Sequence, residues 1–420
     1  MKRTTSNPPP KNERLQEDAP KPVSRTPVVF APLGKAGAVD GVLVLTWFSL
    51  LAFGVVMVYS ASAVYAERTF GDGFFFVTKQ AIYALMGIAV VGALATIDYR
   101  RLQVFTYPVL LTVLVLLLAV ILGVGRSAGG ATRWIQLGPI HIQPAETAKL
   151  AMVLWLAYSL SRKEHKIRTF SVGFLPHVLV AGLFMALSLK QPDFGSAVMI
   201  GLLTATLLFT AGTRLQHLLA AAFVLVPVVV ALVATREYRL RRIRAFLDPE
   251  GNRLGEGYQL FESLVGFGSG GLTGVGLGAG RQKLFFLPEA HNDFIGAIIG
   301  EELGLIGVSM VVLAFVVIGI RGIRAALRAP DAYGAYLAVG ITVFLTAQAF
   351  TNLAVGMGLL PTKGLVLPFI SYGGSSLLVN CAAMGLLLNV SRPRATEDST
   401  EAANAAPVNV PRVVQVGGIA

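Results

Sequence analysis

About ten stretches of this chain stay apolar for close to 20 residues, the length a helix needs to cross the hydrocarbon core of a bilayer. They fall near 42–62, 78–97, 103–124, 147–160, 173–189, 195–211, 215–234, 294–320, 333–355 and 367–390. Only 14% of the 420 residues are charged and 54% are hydrophobic. A soluble domain carries about 25% charge. The pattern predicts an all-α polytopic membrane protein of about ten transmembrane helices, with a large extracytoplasmic loop between the seventh and eighth.

The formal net charge of +12 raises nucleic acid as a partner, but most Lys and Arg sit at the ends of spans. Loops on the cytoplasmic side carry such an excess. An even number of spans places both termini in the cytoplasm, and membrane lipids account for the charge without nucleic acid. Residues 1–38 and 393–420 are too polar to pack and read as disordered cytoplasmic tails around a transmembrane domain at 39–392. The first tail is too long for the charged start of a signal peptide. The lone cysteine, Cys381, permits no internal disulfide and says nothing of redox compartment.

Two outward loops, 125–146 and 235–293, break the charge rule by carrying basic residues, many of them in the second, which points to an anionic ligand such as a lipid phosphate. The longer loop opens with Leu240, Ile243 and Leu247 on one helical face among arginines, a pattern for a short helix in the headgroup layer. Glycines then crowd residues 266–280. Their backbone N–H groups can cradle an anion, or the segment is a tight turn without a ligand. It is no P-loop, since no Gly-Lys-Ser/Thr follows. No internal repeat supports a transporter built from inverted halves.

Asp293 stands where this loop becomes a span, either as a helix cap or as a catalytic carboxylate. Glu301 and Glu302 follow inside the apolar run and are expected to pair with a cation. Glu146 and Lys149 share a helical face behind Pro144 and can pair, either as a structural bridge or in a polar site. Asp193 suits the cap of the sixth span. Residues 358–376 mix Pro and Gly as a broken helix does, with Lys363 as the strong cation. The five scattered histidines make no metal motif.

Taken together, Arg133-Trp134-Ile135, Gln143-Pro144 with Glu146 and Lys149, Gln191-Pro-Asp-Phe-Gly195, Phe246-Leu-Asp-Pro249, Gly257-Tyr-Gln259 and Gly268-Ser-Gly-Gly271 resemble the SEDS family of cell-division and cell-shape membrane proteins. Phe286-Leu-Pro-Glu289, His291 with Asp293-Phe-Ile295, Gly300-Glu-Glu302 and the loop from Leu360 to Ser376 continue the likeness in family order. Pro361-Thr-Lys-Gly364 resembles the septal, FtsW-type branch more than the elongation branch.

The resemblance implies ten spans and a peptidoglycan glycosyltransferase that polymerises lipid II outside the membrane. It also implies a class B penicillin-binding protein and other divisome proteins as partners, and no evident cofactor. It makes Asp293 the catalytic residue, with Arg133, Trp134, Glu146, Lys149, Lys283, His291, Lys363 and Ser371 around the substrate. Glu301, Glu302 and Asp193 are then supporting. Gly296, where the family commonly has Phe, is expected to widen the pocket. A lipid II flippase and a non-catalytic division scaffold are the rival readings.

Overall fold

The computed structural model describes residues 37–393 except 129, 130, 138, 139, 236 and 363. The tail expectations, and Lys363, lie outside the described residues. Helices α1 (Gly41–Phe70) and α2 (Phe75–Thr96) form a hairpin, and α3 (Thr106–Ala119) follows a short 3-10 turn. Three strands come next: β1 (Arg126–Ala128), β2 (Ala131–Leu137) and β3 (Ile140–Ile142). Then come α4 (Pro144–Arg162), α5 (Leu175–Lys190), α6 (Phe194–Thr210) and α7 (Leu215–Ala234). The long loop holds α8 (Glu237–Leu247) and α9 (Tyr258–Gly270) before α10 (Ile295–Leu327), α11 (Ala332–Gly356) and α12 (Gly374–Val390).

Among the described residues, six helical stretches are long and apolar enough to cross a membrane: 41–70, 75–96, 99–124, 170–190, 295–327 and 332–356. Three shorter apolar helices accompany them, at Phe194–Thr210, Leu215–Val228 and Gly374–Val390. The buried core runs through α1, α2, α10, α11 and α12, with α4 and α6 closing its side. At the contact of α2 with α12, Gly87 leaves room for the Cys381 thiol, which a Cβ there would approach to 2.7 Å. Small residues let helices close in where hydrophobic burial offers no drive between them.

The chain is not wholly helical, which corrects the all-α expectation. Strands β1, β2 and β3 make one antiparallel sheet, pairing Arg126 with Trp134 and Ile135 with Ile142. The segment carries branched and aromatic residues between glycine-bearing dipeptides, Gly129-Gly130 and Gly138-Pro139, and these are the ingredients of hairpins. Two further boundaries differ from expectation. Residues 266–270 of the glycine-rich stretch are helical, as the end of α9, and the last helix begins only at Gly374. A helix stands where the short amphipathic one was expected, as α8. It turns Ala245 and part of Arg242 toward the protein, while Leu247 stays 74% exposed.

Helix α10 is broken at Gly304, whose φ of 65° lies in the left-handed region that favours glycine. The glycine-rich loop fills the break. Val275 and Gly276 donate to the carbonyls of Glu301 and Glu302 at 3.0 Å each. Leu305 and Ile306 donate to the carbonyls of Gly271 and Leu272 at 2.9 and 3.2 Å. Every exchanged group is one the interrupted helix would otherwise leave unpaired, and such a group is costly away from water.

Candidate active site

Asp293 ends the long loop, two residues before α10. The capping role expected for it is absent: Phe294 holds the cap position, and no side chain bonds the first turn. Its carboxylate is half-buried and has no hydrogen-bond or ion-pair partner among the described residues. Its main-chain carbonyl is held instead. The Asn352 amide of α11 donates to Asp293 O at 2.8 Å and to Leu365 O at 2.5 Å. Gly364 faces the carboxylate so closely that a Cβ there would lie 3.0 Å from Asp293 Oδ2.

Four charges act on this group, three of them from distant parts of the chain. Burial pushes the Asp293 carboxyl up to about 7, reinforced by Glu289 and Asp193 and opposed by Arg133 and Arg242. A carboxylate near 7 is matched to proton abstraction at neutral pH. Arg133 is held in place by the carbonyls of Gln191 and Pro192, at 3.0 Å from Nε and 2.6 Å from Nη2. Asp193 caps α6 as expected, accepting from Ser196 N at 2.9 Å and Ser196 Oγ at 2.8 Å. Gln143 Nε2 reaches the same carboxylate at 3.3 Å. Arg242, on α8, donates to Thr362 O at 3.5 Å, tying α8 to the loop beside Gly364.

The second constellation lies deeper. Lys149 Nζ donates to Glu146 Oε1 at 2.6 Å and to Gln348 Oε1 at 2.7 Å, and Ser376 Oγ donates to Glu146 Oε2 at 3.1 Å. The ammonium is fully buried and the carboxylate nearly so. Gln348 also donates to Val366 O at 3.2 Å. This network therefore joins α4, α11 and α12 to the same 357–373 segment that lines Asp293.

A third cluster takes Lys283 away from open solvent. Its Nζ donates to Glu302 Oε1 at 2.6 Å and to Ser60 Oγ at 3.1 Å. Gly278 N donates to Glu302 Oε2 at 3.0 Å, and Arg281 N to Glu301 Oε1 at 2.7 Å. Both glutamates thus pin the glycine-rich loop onto α10, and the cation that pairs with Glu302 is Lys283.

Family relationships place these clusters in context. A family model described as "Cell cycle protein", covering FtsW, RodA and SpoVE, matches residues 41–396. A relative from Geobacter metallireducens named "Probable peptidoglycan glycosyltransferase FtsW" is 48% identical over 353 residues, covering 84% of this chain and 94% of the relative. The chain belongs to the FtsW/RodA/SpoVE family. "Stage V sporulation protein E" of Bacillus subtilis is 43% identical over 357 residues, covering 84% of this chain and 97% of that protein. The crystal structure of the Thermus thermophilus rod shape determining protein RodA superposes with a TM-score of 0.62 at 28% identity, covering 84% of this chain and 97% of RodA. A structure described as "Structural coordination of polymerization and crosslinking by a peptidoglycan synthase complex" reaches 0.71 at 29% identity, covering 84% of this chain and 98% of that one.

Within this family fold the remaining motif residues differ in burial and in partners. His291 is buried among Phe76, Tyr372 and Tyr65, at ring separations of 4.5, 5.7 and 6.0 Å. Burial lowers its pKa against the pull of Glu289, so the ring favours the neutral form. Ser371 Oγ accepts from Leu367 N at 2.8 Å, and Ser371 O accepts from Gln80 at 3.3 Å. Trp134 is half-buried in β2. Gly296 does not widen a pocket: a Cβ there would stand 3.1 Å from Leu353 Cδ2 and 4.0 Å from Phe267 Cζ, so the space is already packed.

Arg242, Glu289 and Asn352 were not singled out from the motifs, yet each acts on Asp293. For Asn352 a signal existed. Gln348 and Asn352 are four apart inside one apolar run, so two amides share a helix face in a bilayer-length segment. Among the described residues, no three His, Cys, Asp or Glu side chains converge as a metal site.

Proposed function

We propose that this chain is a peptidoglycan glycosyltransferase that polymerises lipid II at the outer face of the bacterial cytoplasmic membrane, as the septal polymerase of cell division. The observation that carries the reading is Asp293: a half-buried carboxylate with no capping duty, raised to about 7, beside two arginines. The relatives' names supply the activity class. The topology that fits has ten spans (α1 to α7 and α10 to α12), both termini inside, and α8, α9 and the sheet on the outer side.

In the proposed reaction the 4-hydroxyl oxygen of an acceptor sugar attacks the anomeric carbon of a donor. Asp293 takes the hydroxyl proton. The anomeric C–O bond breaks with inversion, and its electron pair leaves on the polyprenyl pyrophosphate. An alcohol is a weak nucleophile, and a positioned base accelerates its attack by roughly 100- to 10,000-fold. Arg133 is the best-placed cation for the developing negative charge, since its own anchors are neutral carbonyls rather than a carboxylate. Lys149 and Lys283 each have a carboxylate partner already, so they act on this reaction by shaping the site. The reading invokes no cofactor. A class B penicillin-binding protein supplies crosslinking, in keeping with the described synthase complex.

The test is lipid II polymerisation by the purified protein with its penicillin-binding partner, comparing wild type with Asp293→Asn at matched folding. Glycan strands from wild type alone support the reading. Equal strands from both place the base elsewhere. Lipid II translocation without strands from either supports a flippase instead.

A further inference from the structure

Asp293 sits at a seam between two segments that are remote in sequence: the end of the long loop, 289–294, and the irregular stretch 357–373. Among the described residues, one direct backbone bond closes this seam, from Tyr372 N to His291 O at 2.9 Å. At Asp293 itself the closure is made by a side chain. Asn352 gives one amide proton to Asp293 O at 2.8 Å and the other to Leu365 O at 2.5 Å. It projects from α11, a rigid helix, and is only 3% exposed. Its Oδ1 finds no hydrogen-bond partner among the described residues, so this buried amide is committed to the two carbonyls at the cost of its own acceptor.

What the two bonds fix is the distance between the Asp293 carboxylate and its wall. Leu365 follows Gly364, the residue facing Asp293 Oδ2. Holding Asp293 O and Leu365 O on one amide holds Gly364 against the carboxylate and keeps water from part of it. No other side chain bonds the Asp293 carbonyl among the described residues. We infer that Asn352 is a positioning residue, which fixes the Asp293 carboxylate against the Gly364 wall and so sets both its aim and its protonation. The inference rests on Asp293 being the base.

Two variants separate this role from simple glue between α11 and the loop. Asn352→Leu keeps the shape but carries no donor and no charge, so both carbonyls lose the tether and nothing else is added beside Asp293. Gly364→Ala leaves every buried hydrogen bond intact and pushes a methyl group to within 3.0 Å of Oδ2. Polymerisation of lipid II is measured with the partner protein across pH, beside thermal unfolding. A displaced base costs about 10- to 100-fold in kcat, with KM for lipid II within about twofold. In Asn352→Leu the acid limb of kcat also moves to lower pH, because the wall no longer shields the carboxylate from water. In Gly364→Ala kcat falls without loss of thermal stability.

Wild-type kcat in either variant overturns the inference. So does a fall in kcat for Asn352→Leu that keeps the wild-type acid limb, since that is what looser packing alone gives. Asp293→Asn runs alongside. If it is inactive while the Asn352 and Gly364 variants behave as wild type, the positioning role fails and the base stands. If it is active, the base assignment itself fails.

Discussion

A single carboxylate shows how far function and stability pull apart in this chain. The ordinary aspartate value is 3.8, and Asp293 is raised to about 7. The folded state therefore holds the proton more tightly than the unfolded chain does. Stability from this group is complete below pH about 4 and is lost as pH rises through about 7. Activity runs the other way, because the base must be ionised. Three outcomes are expected. The polymerisation rate rises with pH through an inflection near 7, read from kcat/KM profiles. Asp293→Asn cuts polymerisation at least about 100-fold. The same variant gains about 2 kcal/mol at pH 8, measured by chemical unfolding, which is less than full linkage because the group is only half-buried.

At the scale of elements, the decisive feature is a helix that stops and restarts. The α10 backbone gives up its own bonds around Gly304 and exchanges them with the glycine-rich loop, whose Gly274 has φ of 79°. A Cβ on Gly304 would come within 2.4 Å of Gly274 N. Gly304→Ala is thus strained in its own backbone and collides with the inserted loop. The expected cost is about 1–3 kcal/mol, and the loop should become a site of early cleavage in limited proteolysis. Wild-type cleavage kinetics would show that the loop does not depend on the break. The run of glycines marked this segment in the sequence. That it inserts into a helix was invisible there, because the partners are backbone groups about 30 residues away, and a glycine says only that a close approach is permitted.

Across the whole molecule, polar networks built on buried charges tie the helices together around the site. Lys149 pairs with Glu146 inside α4, and the two bond across to Gln348 of α11 and Ser376 of α12. Lys149→Met strands the Glu146 carboxylate in the core, and breaking one partner of such a pair costs about 3–5 kcal/mol. Adding Glu146→Gln to Lys149→Met removes the uncompensated charge and should restore most of that loss, as thermal unfolding in detergent would show. Failure of the double variant to recover would mean that the network matters for its hydrogen bonds to Gln348 and Ser376 rather than for its charge. At the opposite end of the bundle, Asp40 caps α1 and pairs with Arg321 at 2.7 Å, closing α1 onto α10.

Hydropathy alone determined that this chain is a helical membrane protein, because apolar runs of bilayer length have few other fates. Local rules likewise reached the Glu146–Lys149 pair, the Asp193 cap and the α8 helix, since each depends on residues within a turn or two of one another. The sheet between α3 and α4 escaped notice because short strands leave a weak periodic signal beside long apolar runs. Tertiary structure alone decided the rest. It relieved Asp293 of a capping role, filled the space at Gly296, gave Lys283 to Glu302, and brought Arg133, Asp193, Arg242, Glu289 and Asn352 around one carboxylate. Those residues are 51 to 160 positions from Asp293, apart from Glu289. Their meeting depends on how the helices pack, and that is a property of the whole bundle rather than of any segment.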